Sequence, residues 1–237
     1  MANCEVQSIT RELQTLADPS IAEHAQRFFK SAPGEYGAGD TFLGIRVPDL
    51  RRLSRKNRQL DVGDVLQLLH SPAHETRLLA VFILVLKYER GDDADRKLVF
   101  DAYCENLDFV NNWDLVDASA YKIVGAHLQD RDRRLLRRLA KSKDLWRRRV
   151  AIISTFAFIR EHDFDETLFL SQRLLRDPED LIHKAVGWML REVGNRDRTI
   201  EEHFLKAHYN EMPRTMLRYA IEKFPESTRQ RYLKGKI

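Results

Sequence analysis

Arg148-Arg149-Val150-Ala151-Ile152 has loose echoes elsewhere in the chain. Arg77-Leu78-Leu79-Ala80-Val81 precedes it, and Lys184-Ala185-Val186-Gly187 and Arg218-Tyr219-Ala220-Ile221 follow in the same frame. Their small or aliphatic anchors are Ala80, Ala151, Val186 and Ala220, at steps of 71, 35 and 34 residues. The first step is a double one, and its midpoint is Val116, inside Asn112-Trp113-Asp114-Leu115-Val116-Asp117. One helix pair per step is the grammar of an α-solenoid of HEAT type, because a single pair cannot bury its apolar face without a neighbour. The expected fold is therefore all-α: a right-handed solenoid of helix pairs forming one domain over residues 1–237, with the second helices lining a concave groove.

The surrounding sequence agrees with helices. Ile9, Leu13 and Leu16 form a stripe of helical period, as do Val62, Val65, Leu66 and Leu69; Leu50 and Leu53 follow Pro48, which suits a first helical turn. The run 73–89 is apolar enough to lie deep. Later helices are expected near 93–106, 112–128, 131–142, 144–161, 164–176, 178–194, 197–209, 212–224 and 226–234. Asn112, Asp130, Asp144, Asp163, Asp177 and Asp197 stand as start signals. No stretch alternates as a strand would. Ten glycines and seven prolines in 237 residues argue against a loop-rich β fold. No apolar run is long enough for a membrane span, and residues 1–10 do not read as a secretory signal. Two isolated cysteines, Cys4 and Cys104, point to a reducing compartment and to no cysteine-rich metal site.

The net charge is only +4, but residues 131–149 hold ten Lys or Arg against two Asp. Cations also recur at matching repeat positions: Arg149, Lys184 and Arg218 two before the anchor, Arg77 and Arg148 three before it. A groove lined by them suits a polyanion such as DNA; a merely solvated basic face is the plain alternative. Trp113 and Asp117 are four apart and share a helix face, and Trp188 has a comparable place in a later repeat. Two tryptophans around a carboxylate make a pocket for a cation. Equally, both rings belong to the core and Asp117 forms a salt bridge with Arg149 or Lys184. Asp114 points elsewhere and reads as structural. The glycine-rich segment 33–40 lacks the Gly-Lys-Ser/Thr ending of a P-loop, His70 and His74 do not make a helical metal pair, and no nucleophile elbow occurs. No metal and no cofactor are expected.

Four segments together resemble the AlkD family of bacterial alkylpurine DNA glycosylases. They are Phe42-Leu43-Gly44-Ile45-Arg46-Val47-Pro48-Asp49-Leu50-Arg51, Asn112 to Asp117, Trp146 to Ile152, and Lys184 to Glu192. The resemblance spans nearly the whole chain and keeps order and spacing. It implies HEAT-like repeats, a catalytic Asp117, lesion-site tryptophans Trp113 and Trp188, and the groove arginine Arg149. It also implies hydrolysis of the N-glycosidic bond of cationic alkylpurines, such as 7-methylguanine and 3-methyladenine, in double-stranded DNA. The expected enzyme is monofunctional, monomeric and cytoplasmic, with Arg148, Lys184 and Arg218 also contacting DNA. The segment 33–40 departs from the family pattern as an insert. A non-catalytic DNA-binding relative and a protein-binding scaffold are the competing classes; the retained Asp117 and tryptophans count against the first, and the basic lining against the second.

Overall fold

Aspartate and asparagine side chains open several helices by accepting backbone N–H groups that have no partner within the helix. Asp18 accepts from Ser20 and Ile21, Asp92 from Asp95, Asp144 from Arg147, and Asp197 from Thr199 and Ile200. The computed structural model describes residues 4–237, and all regular structure among them is helical apart from one isolated bridge, Thr41 to Ala73. The chain forms two compact units that meet in sequence at Ile123 and Val124.

The first unit holds α1 (Cys4–Thr15), α2 (Pro19–Phe28), α3 (Val47–Lys56), α4 (Val62–Leu69), α5 (His74–Arg90), α6 (Asp93–Glu105) and α7 (Trp113–Ala120). Helices α3, α5 and α7 pack side by side as one layer, and α4 and α6 pack behind α5. Helix α5 is the run expected to lie deep. It is apolar almost all round and is buried along most of its length. A π-helical turn, Tyr121–Gly125, follows α7.

The second unit holds α8 (Arg134–Leu139), α9 (Leu145–Ser154), α10 (Phe156–Arg160), α11 (Asp165–Arg173), α12 (Asp180–Gly194), α13 (Arg198–His208), α14 (Arg214–Ala220) and α15 (Glu226–Leu233). Here α9, α12 and α14 form a layer, backed by α8, α11 and α13. Each unit is thus a solenoid-type stack of helix pairs. All five anchors, Ala80, Val116, Ala151, Val186 and Ala220, are completely buried on the layer helices, as the repeat frame requires.

The repeat extends to hydrogen bonds. Arg77 donates to the carbonyls of Ser71 and Pro72, six and five residues back. Arg148 donates to Ser142 and Lys143, again six and five residues back. Each guanidinium also pairs with a carboxylate, Asp40 at 2.7 Å and Asp177 at 2.6 Å respectively. The same bonds recur 71 residues apart.

Three start signals are displaced. Asp163 pairs with Arg133 at 2.6 Å, and α11 begins two residues later without a side-chain cap. Asp177 holds Arg148 and the Glu179 amide, so α12 begins at Asp180. The start expected at Asp130 moves to Arg134, where Asp132 accepts the amide. The stretch 144–161 is two helices, α9 and α10. Ser154 and Thr155 hydroxyls bond back to Val150 and Ile152 carbonyls at the break, a local competition that bends helices.

Candidate active site

Asn112 opens α7, its side chain accepting from the Trp113 amide. The Trp113 ring stacks on Phe29 with centroids 5.5 Å apart and meets Phe28 edge-on at 5.9 Å. Phe29 rests in turn on Phe42 at 5.4 Å and on the His74 ring at 4.6 Å. Trp113 is consequently a half-buried wall whose orientation is set by aromatic packing. Asp117 follows one turn later, also half-buried. It lines a cleft of about 320 Å³ with Arg51, Phe82, Glu89, Tyr121 and Lys122.

The start of α7 rests on a buried polar network. His74 Nε2 lies 2.8 Å from Asp114 Oδ2, and Nδ1 lies 3.3 Å from Asp40 Oδ2. Asp40 is also held by Arg77 and by the Asn112 amide at 3.4 Å. Burial alone would push the His74 pKa down, but the Asp114 and Asp40 carboxylates outweigh it and hold it up at about 9. Burial likewise opposes ionisation of Asp40, and His74 and Arg77 overcome it, keeping the carboxyl below its usual value. At neutral pH His74 is an imidazolium donating from both nitrogens. Asp114 is structural in this concrete sense.

Asp40 is the last residue of the glycine-rich segment. That segment is a chain of turns in which Gly37 passes so close to α2 that a Cβ would stand 2.5 Å from the Phe29 carbonyl oxygen. The buried Glu75 accepts from the Leu43 and Gly44 amides at 2.9 and 2.8 Å. Gly44 has φ 79°, and a Cβ there would meet the Asp18 carbonyl oxygen at 2.0 Å. These contacts fix the entry into α3, and hence the place of Arg51.

In the second unit Arg149, Lys184, Trp188 and Arg218 all stand on the α9–α12–α14 layer. Arg149 is buried and donates to the Leu181 carbonyl. Lys184 pairs with Asp180 at 2.9 Å. The Trp188 indole donates to Glu192 at 3.3 Å, its ring 6.2 Å from Phe156. Arg218 is exposed and meets no carboxylate or carbonyl among the described residues. Arg148, expected with these to contact DNA, is buried, and its guanidinium is spent on Asp177, Ser142 and Lys143. Much of the basic run is engaged in the same way: Arg131 with the His127 carbonyl, Arg133 with Asp163, Arg134 with Asp132, and Arg137 with Glu166. Charge counted along the sequence therefore overstates the free cationic surface.

Among the described residues no three His, Cys, Asp or Glu side chains group as metal ligands, and no helix is long and apolar enough to cross a membrane. The family model for DNA alkylation repair enzymes matches residues 9–224. The chain belongs to that family. A solved structure described as a predicted DNA alkylation repair enzyme from Enterococcus faecalis shares the fold. It has 17% sequence identity and a TM-score of 0.67 over 89% of this chain and 97% of that one. No curated protein matches the chain in sequence. For this DNA alkylation repair enzyme, DNA is the partner. The sequence singled out Trp113 and Asp117 as candidate site residues, and it did not signal the buried contacts of Asp40, Glu75 and His74 beneath and beside α7. The partners of His74 lie 34 and 40 residues away, and no local spacing could reveal them.

Proposed function

We propose that the protein is a monofunctional glycosylase that hydrolyses the N-glycosidic bond of cationic alkylpurines in duplex DNA, with Asp117 as the catalytic carboxylate. The observation that carries this reading is the joint presentation on α7 of a half-buried carboxylate and, one turn before it, a tryptophan braced by Phe28 and Phe29. An N7- or N3-alkylated purine already bears positive charge. When the bond from C1′ to the base breaks, its electron pair neutralises the purine, so no general acid is needed. Positive charge moves onto the sugar, where one preorganised carboxylate stabilises it. Water then adds to C1′ and loses a proton to Asp117 or to solvent. One carboxylate suffices, in contrast to the pair used on ordinary sugars.

Trp113 and Trp188 offer aromatic faces to the cationic lesion. Arg149, Lys184 and Arg218 serve the DNA backbone in a basic groove, and Arg148 supports them from within. The enzyme works as a cytoplasmic monomer and needs no metal or cofactor. The test is single-turnover incubation with duplex DNA carrying 7-methylguanine, followed by chromatography of released bases. Free 7-methylguanine with an intact abasic strand is expected. Binding without release would favour the non-catalytic relative.

A further inference from the structure

The cleft beside Asp117 contains a cation that the proposed chemistry does not use. Arg51 projects from α3 and its guanidinium carbon lies 4.5 Å from the centroid of the Phe82 ring on α5. The aromatic ring covers one side of the guanidinium and restricts a side chain that is otherwise exposed. Its N–H groups meet no carboxylate or carbonyl among the described residues. The other cation of the cleft, Lys122, is neutralised by Glu89 at 3.0 Å. The neighbouring arginine on α3, Arg52, pairs with Asp49 at 2.9 Å. Arg51 is thus held in place, uncompensated, and shares its cleft with a carboxylate.

We propose that Arg51 binds a backbone phosphate of the damaged strand, next to the sugar served by Asp117. The assignment rests on the glycosylase reading and deepens it. A nucleotide losing a cationic base develops positive charge on its sugar while carrying negative charge on the phosphates attached to that sugar. A carboxylate and an unpaired guanidinium in one cleft complement that pair of charges. An arginine suits the task because its fork of donors matches phosphate oxygens. Phe82 supplies the platform, and the Glu75 grip on Leu43 and Gly44 sets the start of α3 from which Arg51 projects.

The experiment measures binding of undamaged and 7-methylguanine-containing duplexes across a salt series, together with single-turnover base release. It compares the parent with Arg51→Ala, Arg51→Lys, Phe82→Leu and Arg52→Ala. Loss of one phosphate contact should lower the slope of log K against log salt by about 0.9. That drop is expected for Arg51→Ala on both duplexes, with affinity down roughly tenfold. Arg51→Lys should keep the slope and lose part of the affinity, because it keeps the charge without the fork. Phe82→Leu should keep the slope and weaken binding, while Arg52→Ala should match the parent. An unchanged slope and affinity in Arg51→Ala, with the parent binding and excising normally, overturns the phosphate assignment and leaves the glycosylase reading intact. A parent that binds with the Arg51-dependent slope but releases no base overturns the glycosylase reading and leaves Arg51 as a DNA contact. A parent that does not bind duplex DNA overturns both.

Discussion

Asp117→Asn keeps the shape of the side chain and removes its charge. If the carboxylate stabilises the sugar cation, single-turnover release of 7-methylguanine should slow by about 10²- to 10³-fold, the usual consequence of losing one preorganised electrostatic partner. Binding to undamaged DNA should hold or tighten slightly, since a negative charge is removed. Equal release rates would refute the role. Asp114→Asn, its neighbour on α7, is a poor neutral control, because Asp114 holds the charged His74. It should lower the melting temperature while leaving release by folded protein far less affected than Asp117→Asn does. His74 itself carries a pH signature. Its pKa is raised from 6.5 to about 9, so its contribution is complete below about pH 6.5 and is lost as pH rises through 9. Thermal denaturation from pH 6 to 10 should show a steeper alkaline decline in the parent than in His74→Gln. Glu201 is buried with no hydrogen bond to Oε1, and burial pushes its pKa from 4.5 up to about 8. It weakens the fold between those values, and comparison with the His74 variant removes that shared background. Identical pH profiles for the two proteins would contradict the buried imidazolium.

At the scale of helices, repeat position decides the use of an arginine at one place and not at the next. Arg77 and Arg148, three before their anchors, are both buried in ion pairs, whereas of Arg149 and Arg218, two before theirs, the first is buried against the Leu181 carbonyl and the second is exposed. Arg148→Ala leaves Asp177 buried without its partner, which costs about 3–5 kcal/mol in typical buried pairs; urea denaturation should show this, with little change in the salt slope of DNA binding. Arg218→Ala should do the reverse, leaving denaturation unchanged and lowering the slope by about 0.9. If both variants changed only the slope, the burial of Arg148 would not matter energetically. The contrast marks what the sequence made legible. Helical period, the anchors Ala80 to Ala220 and the caps at Asn112, Asp144 and Asp197 were readable because they depend on residues within one or two turns. The place of Trp113 and Asp117 one turn apart on a single helix was readable for the same reason. The partners of Asp163, Asp177, His74 and Arg51 were not, because each is set by packing between helices. The break at Ser154 and Thr155 escaped notice because hydroxyls that bond back within a helix leave the apolar period unchanged.

For the molecule as a whole, the 33–40 segment is built into the fold rather than appended to it. Its glycines make the turns, and its final residue supplies a carboxylate to the network under α7. The division of the chain at Ile123 and Val124 has another consequence. Trp113 belongs to the first unit, and Trp146 and Trp188 belong to the second. Intrinsic fluorescence therefore carries a separate label for each half. In Trp113→Phe all indole emission comes from the second unit, and in the double variant Trp146→Phe/Trp188→Phe it comes from the first. If the units melt independently, these two proteins should give different emission midpoints while circular dichroism of the parent spans both. Coincident midpoints would mean that the fold is lost as one cooperative block.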